Sequence, residues 1–425
     1  MRHRPRHRRL ALLMAGAALL AGCGRTQQPA RSAAEPAEPV NYGSARPMAT
    51  KPFRTEAIAS FEDPWALTFI ADDRMLVTEK PGALWIVTKA GRKIPVSGVP
   101  RVHYEGQGGL LFVIASPHFA QDHRIYLTYA EPGEGGDGLA LARATLVDRG
   151  DTAALTGVEV LWRQLPRGAG GQFGGYIAFS PDQRFLFLTV GERQRFTPAQ
   201  DPDQALGKIL RLTLDGAPAP GNPGAGRQGA TRIGLIDPPE DTQAAAGAKV
   251  RTVAMPGPNL TPAETWVSGL RNPYGLAFDD QGRLWETEMG PKGGDELNLI
   301  EAGANYGWPL VSYGDNYDGK PIPRPATRPE FRQPELYWNP VIAPAGFTFY
   351  KGAMFPEWRG TAFVGGLGSS TLVQLGFDGD HPREIARWDM DARTRFVLTG
   401  PDGALWLLED GSGGRLLRLS SRRSG

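Results

Sequence analysis

Acidic side chains interleaved with bare backbone mark the first place in this sequence where chemistry could happen. The run Gly290-Pro291-Lys292-Gly293-Gly294-Asp295-Glu296 sets two carboxylates among residues whose carbonyls carry no bulky side chain. Carbonyl and carboxylate oxygens are the hard ligands that calcium takes. A turn-stabilising acidic pair at the surface is the plainer alternative for Asp295 and Glu296. Further on, Arg393 and Arg395 flank Thr394 at the start of a strand-like run, so their side chains point the same way. Two guanidinium groups on one face suit bidentate pairing with carboxylates, although a solvated strand edge would look the same. Cys23 is the only cysteine, which excludes an intramolecular disulfide, a thiolate metal site and a catalytic thiol.

Something must hold these groups, and the chain offers a repeat. A short apolar strand, a polar turn with Asp or Gly, and a second apolar strand recur at residues 66–79, 109–131, 175–192, 275–290, 346–367 and 395–410. Further strand candidates follow the copies, among them 83–87, 208–214, 372–377 and 415–420. The spacing predicts an all-β protein, a six-bladed β-propeller of four-stranded antiparallel blades. An irregular β-sandwich is the alternative. Residues 216–258, rich in Ala, Pro and Gly, read as a long surface excursion. Residues 311–341, richer in Tyr, Pro and Asp, read as a second excursion, ordered over the site.

The ends say where the protein works. Residues 1–22 combine a basic start, an apolar run and Leu-Ala-Gly before Cys23, the pattern of a lipoprotein signal peptide with Cys23 as the lipidated residue. Residues 23–50 have almost no large apolar side chains and read as a flexible tether, leaving 51–425 as the folded body. The expected place is the periplasm, anchored by acyl chains, with Gly24 favouring the outer membrane. A formal charge of only +2, part of it in the signal peptide, argues against nucleic acid as a partner.

Six motifs in order then carry a resemblance: Gly106-Gln107-Gly108-Gly109, Leu206-Gly207-Lys208, Arg271-Asn272-Pro273-Tyr274-Gly275, the 290–296 loop, Asn305-Tyr306-Gly307-Trp308-Pro309 and Ala343-Pro344-Ala345-Gly346. Over roughly 58–420 the chain resembles the soluble PQQ-dependent aldose sugar dehydrogenases of the glucose/sorbosone dehydrogenase family. The resemblance implies a six-bladed propeller binding pyrroloquinoline quinone (PQQ) and calcium, with a sugar substrate and a periplasmic electron acceptor as partners. It implies that Arg271, Asn272, Tyr317, Arg393 and Arg395 hold the tricarboxylate cofactor. It implies that the Gly290 and Pro291 carbonyls hold the catalytic calcium, that Glu296 and Tyr306 serve a second calcium, and that Gln107 binds the sugar near its reacting carbon.

One departure bears on turnover. The family removes the sugar's hydroxyl proton with a His before Phe-Gly-Gly, and this chain has Gln172 there. A neutral amide orients a hydroxyl but is no general base. The family Arg after the paired glycines is Tyr176, a family Lys corresponds to Gly368, and another family His to Ala205. Of the remaining histidines, His103 lies nearest Gln107 in sequence and is the candidate replacement base, with an ordinary surface histidine as the plainer alternative. Three functions follow: C1 oxidation of aldoses to lactones, a non-catalytic sugar or quinone binder, and a calcium-dependent lactonase on fold analogy alone.

Overall fold

The structure, a computed structural model, describes residues 38–236 and 249–422. Among them nearly all regular structure is β, with only single-turn helices. The strands form where short apolar runs are bounded by turn residues. Phe185–Val190 (FLFLTV) is buried along its whole length, as expected for a strand covered on both faces.

Six antiparallel runs of four strands account for almost all of the sheet. The first two run Pro64–Ala71 to Lys93–Ser97 and Leu110–Ala115 to Ala153–Arg163, and a short parallel pairing of Ala153 with Val96 joins them. The third takes Gly174–Phe179, Phe185–Val190, Lys208–Thr213 and Thr265–Ser268. The fourth runs from Pro273–Phe278 to Leu336–Trp338, and the fifth from Pro344–Phe349 to His381–Asp389. The sixth combines Thr394–Thr399, Leu405–Glu409 and Ser412–Ser421 with Phe53–Glu62, so the first long strand pairs with the last. Each hairpin of the sequence repeat supplies the first two strands of one run.

The leading strands of successive runs lie against one another in a closed cycle. Their inward side chains fill its centre: Trp65, Phe112, Tyr176, Tyr274 and Phe396 meet in tilted, edge-on and stacked contacts with ring centroids 4.9–6.2 Å apart. Offset and edge-on arrangements are those aromatic quadrupoles favour. All six leading strands carry a register shift in their pairing with the next strand, for instance between Pro273 and Gly275 and between Thr394 and Phe396. Such bulges re-aim side chains beside active sites. Gly275 is required at its bulge, because a Cβ there would stand 2.3 Å from Thr287 Oγ1 and 2.6 Å from Phe347 Cβ.

Two expectations change. The stretch 39–50, read as the end of a tether, is docked: Val40–Asn41 pair with Leu336 and Tyr337, and the Met48 and Tyr42 amides donate to the Arg387 and Tyr337 carbonyls. Backbone pairing needs no large side chains, which is why composition alone missed it. Residues 216–258 are not wholly irregular either, since Arg232–Ile236 pairs with Val250–Ala254. Residues 1–37, with Cys23, lie outside the described residues.

Between the second and third runs, the Trp162 indole donates to Glu264 at 3.1 Å, and burial pushes that carboxyl up to about 7. A folded pKa above the unfolded value means stability is full below the unfolded pKa, about 4.3, and falls as pH rises towards 7. Glu264→Gln keeps an acceptor for Trp162 and removes the charge. It should stabilise the protein by on the order of 2–3 kcal/mol at pH 8 and hardly at all at pH 4. Urea midpoints at both pH values measure this, and an equal effect at both would refute it.

Candidate active site

The site lies where leading strands begin and second strands end. Arg271 and Asn272 form the turn into Pro273–Phe278. The Arg271 amide donates to Glu288 at 2.6 Å, and its Nη1 donates to the carbonyls of Met289 and Gly290, both at 2.8 Å. Its Nη2 donates to the Tyr317 hydroxyl at 3.2 Å.

Gln172 sits beside this guanidinium in the left-handed region, at φ 53°. Its backbone N–H donates to Gln107 Oε1 at 2.9 Å. With the amide oriented so that both ends find partners, its oxygen accepts from Arg271 Nη2 at 2.8 Å and its nitrogen donates to the Glu192 carboxylate. Gln107, Gln172 and Arg271, far apart in sequence, are thus one hydrogen-bonded chain. Glu192 completes it: burial raises its pKa, opposed by Arg271 and by the amides of Phe196 and Arg195.

A cavity of about 160 Å³ opens beside them, lined by Trp65, Lys80, Gln107, Tyr274, Met289, Ala343, Leu367, Arg393 and Arg395. Arg393 Nε donates to one Asp410 oxygen at 2.8 Å, and Arg395 donates to the other at 2.8 and 2.6 Å. Burial works against the Asp410 carboxylate, but Arg395 and Arg393 outweigh it and hold its pKa low. Lys80 is pushed down, first by burial and then by Arg395.

The donor set fits a flat polyanion. Three cations edge a cavity whose other walls are largely aromatic and aliphatic, and the buried donor Arg271 Nε has no partner. For a cation, a void of about 10 Å³ lies among Glu288, Gly290, Glu296, Tyr306 and Ser312, but the Arg271 guanidinium borders it too and already holds the Gly290 carbonyl. The void is about the room one water needs. Burial first and the Glu288 charge second push Glu286 and Glu296 well above the usual carboxyl range, so a cation here would relieve their repulsion. The Tyr306 hydroxyl is already engaged with Leu299 and Glu301, which leaves its carbonyl, and Pro291 does not line the void. Among the described residues no three His, Asp or Glu side chains converge to hold a metal, so carbonyls would have to contribute.

Sequence reasoning missed Lys80, Glu192 and Asp410. A signal existed, since repeat copies end on an acid at Glu79, Glu131, Glu192 and Asp410, where second strands reach the rim. The departures have places too. Tyr176 belongs to the aromatic centre and accepts from the Gly346 amide at 3.0 Å, and Ala205 is core. Gly368 brings no side chain near the cavity, whose ammonium comes from Lys80 on another sheet. His103 is half-exposed, 2.6 Å from Asp137, and lines a separate cleft that shares Gln107.

The chain matches the model of the family described as Glucose / Sorbosone dehydrogenase over residues 61–233 and 253–418. It is 37% identical over 373 residues to the aldose sugar dehydrogenase YliI of Escherichia coli (strain K12), covering 85% of this chain and 91% of that one. The crystal structure of the soluble aldose sugar dehydrogenase from Escherichia coli in the apo-form superposes with a TM-score of 0.74 at 35% identity, covering 87% of this chain and 100% of that one. The PQQ-bound form of aldose sugar dehydrogenase from Streptomyces coelicolor gives a TM-score of 0.64 at 26% identity, covering 88% and 99%.

Proposed function

Because the chain belongs to the Glucose / Sorbosone dehydrogenase family of PQQ-dependent oxidoreductases, we propose that it oxidises aldose sugars at C1 to lactones on a six-bladed β-propeller. The single observation that carries this is the cavity edged by Lys80, Arg393 and Arg395 and bordered by the Gln107–Gln172–Arg271 chain. The closed cycle of leading strands supports the propeller.

PQQ, when bound, would supply a two-electron acceptor for the sugar's hydride, and a calcium at the void beside the Gly290 carbonyl would supply Lewis-acid polarisation. The chain's residues bind and orient. Arg393, Arg395 and Lys80 would hold cofactor carboxylates, and Arg271 and Asn272 would stabilise negative charge that develops on a quinone. Gln107 positions the sugar hydroxyl. Glu296 and the Tyr306 carbonyl line the same void as Gly290 and would serve that one ion, not a second calcium. Cys23 carries the lipid that faces the protein to the periplasm, at the outer membrane, where electrons leave to a periplasmic acceptor.

Proton removal is the weak link, and it favours a second reading, a protein that binds sugar and cofactor with little turnover. The Gln172 amide has no basicity to offer and is engaged at both ends, by Glu192 and Arg271.

Reconstitution of the full chain with PQQ and calcium, followed by redox-dye reduction with several aldoses, tests the proposal. Arg395→Ala should weaken PQQ binding at least about thirtyfold, the effect of losing an arginine anchor worth about 2 kcal/mol. Failure of the wild type to bind PQQ would sink the proposal. Binding without dye reduction by any aldose would select the second reading.

A further inference from the structure

Glu264 is a buried acid for which the oxidation as proposed has no use. It ends the single turn Thr261–Glu264 and borders a cavity of about 270 Å³ between the second and third runs of strands. That cavity shares no lining residue with the one edged by Arg393 and Arg395, nor with the cation-sized void.

The turn that carries the acid is held from its backbone side. Asn259 Oδ1 accepts from the Thr261 amide at 3.1 Å, and its Nδ2 donates to the Asp203 and Ala230 carbonyls at 2.8 and 3.1 Å. Asn222 Nδ2 donates to the Ala263 and Glu264 carbonyls at 2.8 and 3.3 Å. Across the cavity, Ala153–Arg163 shifts register between Val160 and Trp162, and such a bulge re-aims side chains. The Trp162 indole donates to Glu264 Oε2 at 3.1 Å. Glu264 is only 7% exposed, and its Oε1 accepts from no described residue.

The lining decides the ligand class. Val160, Leu161, Leu165, Met255 and Leu260 make the walls apolar. The other charged side chain on the cavity, Arg163, is exposed, and its Nε donates to both Glu131 oxygens at 3.1 and 2.8 Å. A buried carboxylate without a cation is costly, and burial pushes this one up to about 7, with the indole alone pulling it down. An ionised carboxylate only accepts hydrogen bonds. An anion is therefore repelled, and a neutral occupant leaves the charge unbalanced. An ammonium group donates to Oε1 and cancels the charge, while a hydrocarbon body covers the walls. The volume, just under the usual range of small-molecule sites, suits a single ring or a short chain.

We propose that this cavity binds a small apolar amine, held as its ammonium by Glu264 with the hydrocarbon against Leu161, Leu165 and Met255. The site lies apart from the cofactor-binding cavity and does not depend on the dehydrogenase reading.

Titration calorimetry on the full chain tests it, with benzylamine, benzyl alcohol and phenylacetate as probes of similar shape and different charge. At pH 8 benzylamine should bind about tenfold or more tighter than benzyl alcohol, with phenylacetate the weakest. The ammonium needs the ionised carboxylate, so with the Glu264 pKa at about 7 the benzylamine advantage should fall about tenfold from pH 8 to pH 6. Glu264→Gln should bring amine and alcohol to equal affinity at both pH values. Met255→Trp, which puts an indole on a half-buried wall position, should weaken both. Thermal melts confirm that both variants fold. Equal affinity for amine and alcohol in the wild type at pH 8, a preference that survives Glu264→Gln, or binding undiminished in Met255→Trp would each overturn the site. PQQ binding and dye reduction read the other cavity, so failure there leaves this result standing.

Discussion

Replacing Gln172 with His raises aldose turnover by about a hundredfold to ten-thousandfold, the contribution of a positioned general base. The position tolerates the change. Its φ of 53° lies in the left-handed region, where His is enriched among non-glycine residues. The partner is also in place, because Glu192 already contacts the Gln172 amide and would fix the tautomer of an imidazole. The new base works when deprotonated, so kcat should rise with pH through the imidazole pKa, about 6.5 before the neighbouring carboxylate raises it. The comparison is kcat of wild type and variant, both saturated with PQQ, from pH 5 to 9. Equal kcat at equal cofactor occupancy would place the base elsewhere in the chain.

Asp295→Ala should cost at least about 3 kcal/mol below pH 7, from three N–H groups, one buried and two half-buried, left without an acceptor at about 1 kcal/mol or more each. Asp295 is fully buried and its two oxygens accept from Gly290 at 2.9 Å and from Ile342 and Ala343 at 2.7 Å. Burial pushes its carboxyl up to about 7 against the pull of those amides. One carboxyl therefore clamps two loops that border the site, the 290 loop at the cation-sized void and the 342–343 loop beside the cavity edged by Arg393 and Arg395. PQQ affinity should fall along with stability. Denaturant midpoints for Asp295→Ala and Asp295→Asn measure the clamp. A loss under about 1 kcal/mol in the alanine variant would mean the loops find other acceptors.

The hairpins were legible because their signal is local: alternating apolar runs with Asp, Gly or Pro between them at 175–192 or 275–290 dictate strand, turn, strand. Gln107, Gln172 and Arg271 were legible as individuals, through motifs, but not as a hydrogen-bonded chain, since their contact arises from strands that start at a common rim. Glu192, Lys80 and Asp410 stayed hidden for the opposite reason. A single charged residue at a strand end looks like any solvated terminus until the closed sheets bury it. Residues 40–41 escaped because a parallel backbone pairing leaves no side-chain pattern.

The pairing of Phe53–Glu62 with Ser412–Ser421 also sets when this protein can finish folding. At ribosomal speeds the first of these strands emerges tens of seconds before its partner exists. Until then it is an unpaired edge, open to other chains. Its pattern suits that wait: Arg54 and Glu56 alternate with Thr55 and Ala57, Glu62 ends the strand, and charge on an edge discourages intermolecular pairing. Because loop-closure entropy grows only logarithmically with length, joining strands some 360 residues apart costs about 4 kcal/mol more than closing a four-residue hairpin loop. The ring is thus closed by its last-made strand, and a chain that stops short of residue 412 lacks the partner that ends the exposure.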